Sequence, residues 1–270
     1  MPTIRINGTD AYYRDQGTGP CVVMVHSSSS VSGQWRDLIE RLQDRFRCLA
    51  PDLLGYGRTG PWSGTNLYAD EQAIIEAMIG QAEGPVHLVG HSYGGMLAAL
   101  TTLARPAAVR TLTLVEPTFF TFLREAGDEA AFGEIEAVAR QATDLSAAGE
   151  NEAAARAFLD YWVAPGAFDA IPAPTRDAVV ASMPKQSHEW PFWQPTDLPP
   201  LEGLRAIACP VLLLRANGTT LAASRVVDLI LPVLQNVEYA EIEGAGHMSP
   251  VTHPDKVNPV IETFLAAQVG

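Results

Sequence analysis

Residues 90–94 read Gly-His-Ser-Tyr-Gly, with the apolar run 86–89 before them and the small, apolar stretch 95–100 after them. That order is strand, tight turn, helix. A residue at the tip of such a turn is forced into a strained backbone conformation, and only glycines two positions to either side leave room for the turn to close. Ser92 is thereby raised on the turn as a candidate nucleophile, which a serine in an ordinary glycine-rich loop would not be.

The flanking pattern extends along the chain. Runs 22–25, 47–50, 86–89, 109–115, 211–214 and 237–242 are dominated by apolar and β-branched residues, as suits strands covered on both faces. Helical patterns lie between several of them, at 35–42, 67–79, 96–104 and 222–234. Strand and helix in alternation require right-handed crossovers and a mostly parallel sheet, so the expected class is α/β. Segments 3–6 and 11–14 open the chain as an antiparallel hairpin turned by Asn7-Gly8.

One stretch breaks the alternation. Residues 119–200 separate two core strands by about eighty positions, far more than an ordinary loop. This predicts a core of 1–118 and 201–270 carrying a lid insertion over 119–200. The first half of the insertion is alanine-rich and helical (129–142 and 150–162). The second is punctuated by Pro165, Pro172, Pro174, Pro184, Pro191, Pro195, Pro199 and Pro200. Its aromatic residues include Phe158, Trp162, Trp190, Phe192 and Trp193, many of them expected to pack between the insertion's own helices.

With 270 residues, 47% of them hydrophobic, the chain suits one core with an insertion better than two equal domains. A formal net charge of −13 would repel phosphates and argues against a nucleic-acid partner. No stretch approaches the roughly 20 apolar residues that cross a bilayer, and residues 1–10 hold no basic segment leading into an apolar run. The expectation is a cytoplasmic protein with no membrane partner; no sequence feature specifies an oligomeric state. Cys21, Cys48 and Cys209 form no Cys-x-x-Cys pair and fall at or beside expected strands, as structural thiols do. No metal cluster, phosphate loop or flavin motif is present, so neither a metal nor a cofactor is expected.

Four motifs together resemble the α/β-hydrolase superfamily over nearly the whole chain outside the insertion. Besides the serine turn they are Val25-His26-Ser27-Ser28 followed by Trp35, Pro51-Asp52-Leu53-Leu54-Gly55-Tyr56-Gly57-Arg58, and Gly244-Ala245-Gly246-His247. They are specific for the fold and say little about substrate. A serine hydroxyl needs a base within hydrogen-bond reach, and His247, after the last strand, is the best placed of the six histidines. His26 and His91 belong to motifs that turn the backbone and read as structural; so does Asp52.

The third member departs from the commonest pattern. Many members of the superfamily carry an aspartate just after the strand corresponding to 211–214, but residues 215–227 contain no Asp or Glu, and Thr219 or a neighbour stands in its place. Glu116, ending the strand before, is the natural substitute and preserves the nucleophile, acid, base order. Its other reading is a strand-end carboxylate satisfied by solvent or by an amide of the insertion. Certain haloalkane dehalogenases and the lactonases that open the mycotoxin zearalenone resemble this arrangement.

The resemblance also implies an oxyanion hole from the backbone amides of Tyr93 and Ser28, although Ser27 stands where glycine is usual. Ser27, Phe120, Met183, Trp190 and Phe192 are the candidate substrate-binding residues. An aromatic insertion without a cationic cluster points to a small apolar ester or lactone. Two alternatives stay open: hydrolysis of a carbon–carbon bond next to a ketone, and a weakly active, ligand-binding homologue.

Overall fold

Asn7 and Gly8 both have positive φ, 47° and 83°, the geometry of a two-residue hairpin turn that matches strand twist. They join β1 (Thr3–Ile6) to β2 (Thr9–Gln16), and β2 pairs antiparallel with β4 (Arg47–Pro51). Beyond that edge every pairing is parallel, through β3 (Cys21–Val25), β5 (Val86–His91), β6 (Val109–Val115), β7 (Val211–Ala216) and β8 (Val237–Ile242). The eight strands lie in the order β1-β2-β4-β3-β5-β6-β7-β8. The computed structural model describes residues 2–190, 192 and 198–269; Pro191, Trp193 and Pro195 lie outside the described residues.

Strand alternation sends successive side chains to opposite faces, and both faces are covered. Val23, Val25, Leu88 and Leu112 pack with α2 (Leu67–Ile79), α3 (Tyr93–Ala104) and α9 (Leu221–Ile230). Val22, Met24, Val89 and Leu212 pack with α1 (Arg36–Leu42) and α11 (Pro254–Ala267) on the other face. The buried thiols Cys21 and Cys48 belong to β3 and β4, where burial raises them to about 11 and about 12. They are inert at neutral pH.

The chain leaves β3 toward β4 on one side and leaves β5 toward β6 on the other, so the loops after β3 and β5 diverge and open a crevice at the carboxyl edge. Between β6 and β7 stand α4 (Thr121–Glu125), α5 (Glu129–Ala147), α6 (Asn151–Trp162), α7 (Ala167–Ala170) and α8 (Ala173–Gln186). α6 packs on both α5 and α8, while α5 reaches α9 of the core.

Two helices run through prolines where the sequence suggested interruption or gave no helical pattern. In α8, Pro172 is the N-cap and Pro174 falls in the first turn, where amides have no intrahelical partner; Pro184 sits in the last turn. α11 likewise starts on Pro254 and carries Pro259 inside it, yet buries Val257, Ile261, Phe264 and Leu265. Tertiary burial outweighs the lost backbone bond in both.

Candidate active site

Ser92 sits at φ 55°, ψ −121°, between β5 and α3. The turn closes because its glycines have no side chains: a Cβ on Gly90 would lie 2.3 Å from the Gly94 carbonyl oxygen, and one on Gly94 would lie 2.3 Å from that of His26. The backbone of the β3 loop is thereby pressed against the nucleophile turn, and the Ser92 amide donates to Val115 at the end of β6.

Glu116 follows immediately, also left-handed at φ 44°. A non-glycine residue rarely occupies that region, and here the strain directs a fully buried carboxylate toward the loop after β8. His247 Nδ1 lies 2.6 Å from Glu116 Oε2, and His247 Nε2 lies 2.9 Å from Ser92 Oγ. A carboxylate can only accept, so the ring proton belongs on Nδ1 and Nε2 is left to accept from the serine hydroxyl. Glu116 is held by two further donors, the Ala216 amide on Oε1 at 2.6 Å and the Thr219 hydroxyl on Oε2 at 2.7 Å. The three side chains named from the sequence thus meet in one line of hydrogen bonds.

Two other histidines, His26 and His91, are tied into the backbone around the site. His26 Nδ1 donates to the Ser27 carbonyl at 2.7 Å and its Nε2 accepts the Leu53 amide at 2.9 Å, while burial pushes its pKa down to about 4. His91 Nε2 donates to the His247 carbonyl at 2.9 Å, and its Nδ1 accepts from Gln34, which in turn holds the Ser27 amide and hydroxyl. Burial keeps His91 neutral by lowering its pKa well below the ordinary value. Asp52 accepts the Ser32 and Arg58 amides, fixing the loop after β4.

A cavity of about 230 Å³ opens over Ser92 and His247. Ser27, Ser28, Tyr93, Phe120 and Trp190 are on its wall. Met183 and Phe192 are not. Met183 is fully buried in the main core cluster, and Phe192 packs behind the wall, stacked on Trp190 at 5.9 Å and edge-on to Phe132 at 5.3 Å. Apolar character in the insertion marks its internal packing as readily as its cavity face, and the sequence does not separate the two. Trp162, at the end of α6, was not singled out, yet its ring lies 4.2 Å from that of His247. Its position in the last turn of an amphipathic helix was the available signal.

Polar groups crowd one corner. Lys185 of α8 pairs with Glu71 of α2 at 2.8 Å and with Glu189, which lies on the cavity wall. Tyr93 donates its hydroxyl to Glu71 at 2.5 Å, Tyr56 donates to Glu189 at 2.6 Å, and Ser28 donates to the other oxygen of Glu189. Burial pushes Glu71 up to about 7 even though Lys185 acts in the opposite sense. Among the described residues no cluster of His, Cys, Asp and Glu has the arrangement to hold a metal ion, and no helix is long and apolar enough to cross a membrane.

The alpha/beta hydrolase family matches residues 22–260. Haloalkane dehalogenase 2 of Mycobacterium tuberculosis is 34% identical over 114 residues, which cover 40% of this chain and 39% of that protein, so the match spans well under half its length. Pimeloyl-(acyl-carrier protein) methyl ester esterase of Methylococcus capsulatus is 27% identical over 95% of this chain and 98% of its own. The crystal structure of the enol-lactonase from Burkholderia xenovorans LB400 superposes with a TM-score of 0.77 at 16% identity, covering 98% of this chain and all of that one. At that identity the likeness concerns the fold. With a family match from 22 to 260 and a doubly covered parallel sheet carrying the serine turn, the chain belongs to the alpha/beta hydrolase family.

Proposed function

We propose that this hydrolase cleaves a carboxylic ester or lactone through an acyl-enzyme on Ser92. The observation that carries the reading is the line Ser92 Oγ, His247 Nε2, His247 Nδ1, Glu116 Oε2, with separations of 2.9 and 2.6 Å at its two hydrogen bonds. His247 takes the serine proton as Ser92 attacks the carbonyl, then returns it to the leaving alkoxide. A water activated by the same ring releases the acid. Glu116 fixes the tautomer and stabilises the imidazolium formed in each step. Tyr93 is the first residue of a twelve-residue helix, so its amide has no carbonyl one turn earlier to bond. That amide and the Ser28 amide are the proposed oxyanion donors.

Serine also decides against the chemistry of the dehalogenase relative. An alkoxide that displaced a halide would leave an ether, which water does not cleave under these conditions, whereas attack on a carbonyl leaves a hydrolysable ester. The relative named as a methyl ester esterase, matched over nearly the whole chain, supports the same bond type. The cavity wall of Phe120, Phe158, Trp162 and Trp190 favours a small apolar acyl or alcohol group, with 119–200 serving as a lid on a core of 1–118 and 201–270.

The test is hydrolysis of 4-nitrophenyl butyrate and of a medium-ring lactone by the protein and by Ser92→Ala. Turnover that vanishes in the variant is expected. Equal rates in the two would overturn the reading.

A further inference from the structure

Ser28 and Tyr93, whose amides are the proposed oxyanion donors, stand on different elements, the loop after β3 and the start of α3, yet their side chains lead through carboxylates to the same lysine. From one side the Ser28 hydroxyl donates to Glu189, which pairs with Lys185. From the other the Tyr93 hydroxyl donates to Glu71 at 2.5 Å, and Glu71 pairs with Lys185 at 2.8 Å. Lys185 belongs to the insertion, whereas Ser28, Tyr93 and Glu71 belong to the core.

We propose that Lys185 is a positioning residue for ester hydrolysis: seated from the insertion, it sets the spacing of the two oxyanion amides through Glu189 and Glu71. The inference rests on the oxyanion assignment above.

The site is built for that lysine. Its ammonium lies 4.0 Å from the Tyr56 ring centre and 5.2 Å from that of Tyr93. Tyr56 donates to Glu189 at 2.6 Å, and Tyr68 donates to the Glu189 carbonyl at 2.8 Å, so the far carboxylate is fixed by the core as well. Gly55, left-handed at φ 70°, keeps the path of the lysine stem open: a Cβ there would lie 3.3 Å from Lys185 Cγ. Glu71 is fully buried and Glu189 nearly so, and neither carboxylate has another ion-pair partner among the described residues. Two desolvated carboxylates with their cation removed would repel each other and any oxyanion forming beside them. The lysine therefore does two things at once: it offsets negative charge in the corner and ties the loop after β3 to the start of α3. An oxyanion site needs its donors in place before charge develops, because reorganising them during the reaction costs part of the stabilisation they supply.

The experiment uses the full chain and four variants: Lys185→Met, Tyr93→Phe, Ser28→Ala and the double variant Lys185→Met/Tyr93→Phe. Tyr93→Phe and Ser28→Ala each delete one hydroxyl tether, keep the backbone amide and remove no charge, so they report even if Lys185→Met fails to fold. Steady-state hydrolysis of 4-nitrophenyl butyrate is measured beside the affinity for butaneboronic acid, whose serine adduct mimics the tetrahedral intermediate, and for butyrate, the product. Lys185→Met is expected to lower kcat about 100-fold, the low end of the scale of a lost oxyanion donor, with KM within about threefold, and each tether variant, which keeps its amide, about 10-fold. Boronate affinity falls in step with kcat and butyrate affinity stays unchanged. The double variant is no slower than Lys185→Met, because both act through one chain of contacts. Tether variants within twofold of the parent, or losses that multiply independently in the double variant, would overturn the proposal. Absence of Ser92-dependent turnover in the parent protein would instead sink the ester-hydrolysis reading, and this inference with it.

Discussion

Thr219 donates its hydroxyl to Glu116 Oε2 at 2.7 Å, the same oxygen that faces His247 Nδ1. The loop after β7, which holds no carboxylate in 215–227, thus contributes a donor to the carboxylate that follows the neighbouring strand. A donor there holds the Glu116 carboxyl in its orientation toward His247; a second acid would repel it.

Replacing Thr219 by valine removes that donor and keeps the shape. We expect kcat/KM to fall about tenfold, the scale of one hydrogen bond to a charged group. Thr219→Asp, by contrast, puts two carboxylates on one imidazole edge and is expected to cost more than valine does. Kinetics on one ester with both variants checks the order; an aspartate variant faster than the valine variant would show that the strand position of the acid is interchangeable.

Glu116→Gln keeps the volume and one acceptor but favours the wrong tautomer of His247. The expected loss in kcat is about 10³- to 10⁴-fold with the fold intact by circular dichroism. A loss under tenfold would make Glu116 a structural carboxylate only.

How much of this was legible beforehand depends on the kind of signal. The serine turn was plain because Gly90 and Gly94 have packing reasons to be glycine that hold in any context, and the strands were plain because both faces of the sheet are buried. Glu116 could be named because the loop after β7 offers no carboxylate. The corner around Lys185 could not: Glu189 is its i,i+4 neighbour, but Glu71 comes from α2 and the tyrosines from α3 and the loop after β4, and no local pattern brings these onto one ammonium. Met183 misled for the opposite reason, since an apolar residue beside a cavity and one buried behind it have the same sequence pattern.

Trp162 places its ring 4.2 Å from the His247 ring, against the face of the proposed base. Trp162→Leu is expected to lower kcat about tenfold and to destabilise the protein by about 2–4 kcal/mol through the cavity it leaves. Urea melts and ester kinetics measured together separate the two effects; unchanged kcat in a destabilised variant would limit the tryptophan to packing.

Stability should depend on pH through opposed groups, the buried Glu71 on one side and buried histidines such as His26, His87 and His91 on the other. Burial raises Glu71 from 4.5 to about 7, so between those values the folded state holds more protons than the unfolded one, and the Glu71 contribution is lost as pH rises through about 7. Burial lowers His26 from 6.5 to about 4, so its contribution is present above 6.5 and lost as pH falls toward 4. Glu71→Gln removes only the first. The urea midpoint of that variant is expected to rise more steeply with pH between 5 and 7 than that of the parent; parallel profiles would show that Glu71 titrates normally.

The most direct measurement is active-site labelling with a fluorophosphonate at neutral pH, followed by peptide mapping, on the parent protein and on His247→Ala. A single label on the peptide carrying Ser92 is expected, with labelling slowed at least about a hundredfold in the variant, because the base is what activates the serine. No label, a label on another residue, or equal rates in the two proteins would contradict the claim that Ser92 is an activated nucleophile served by His247.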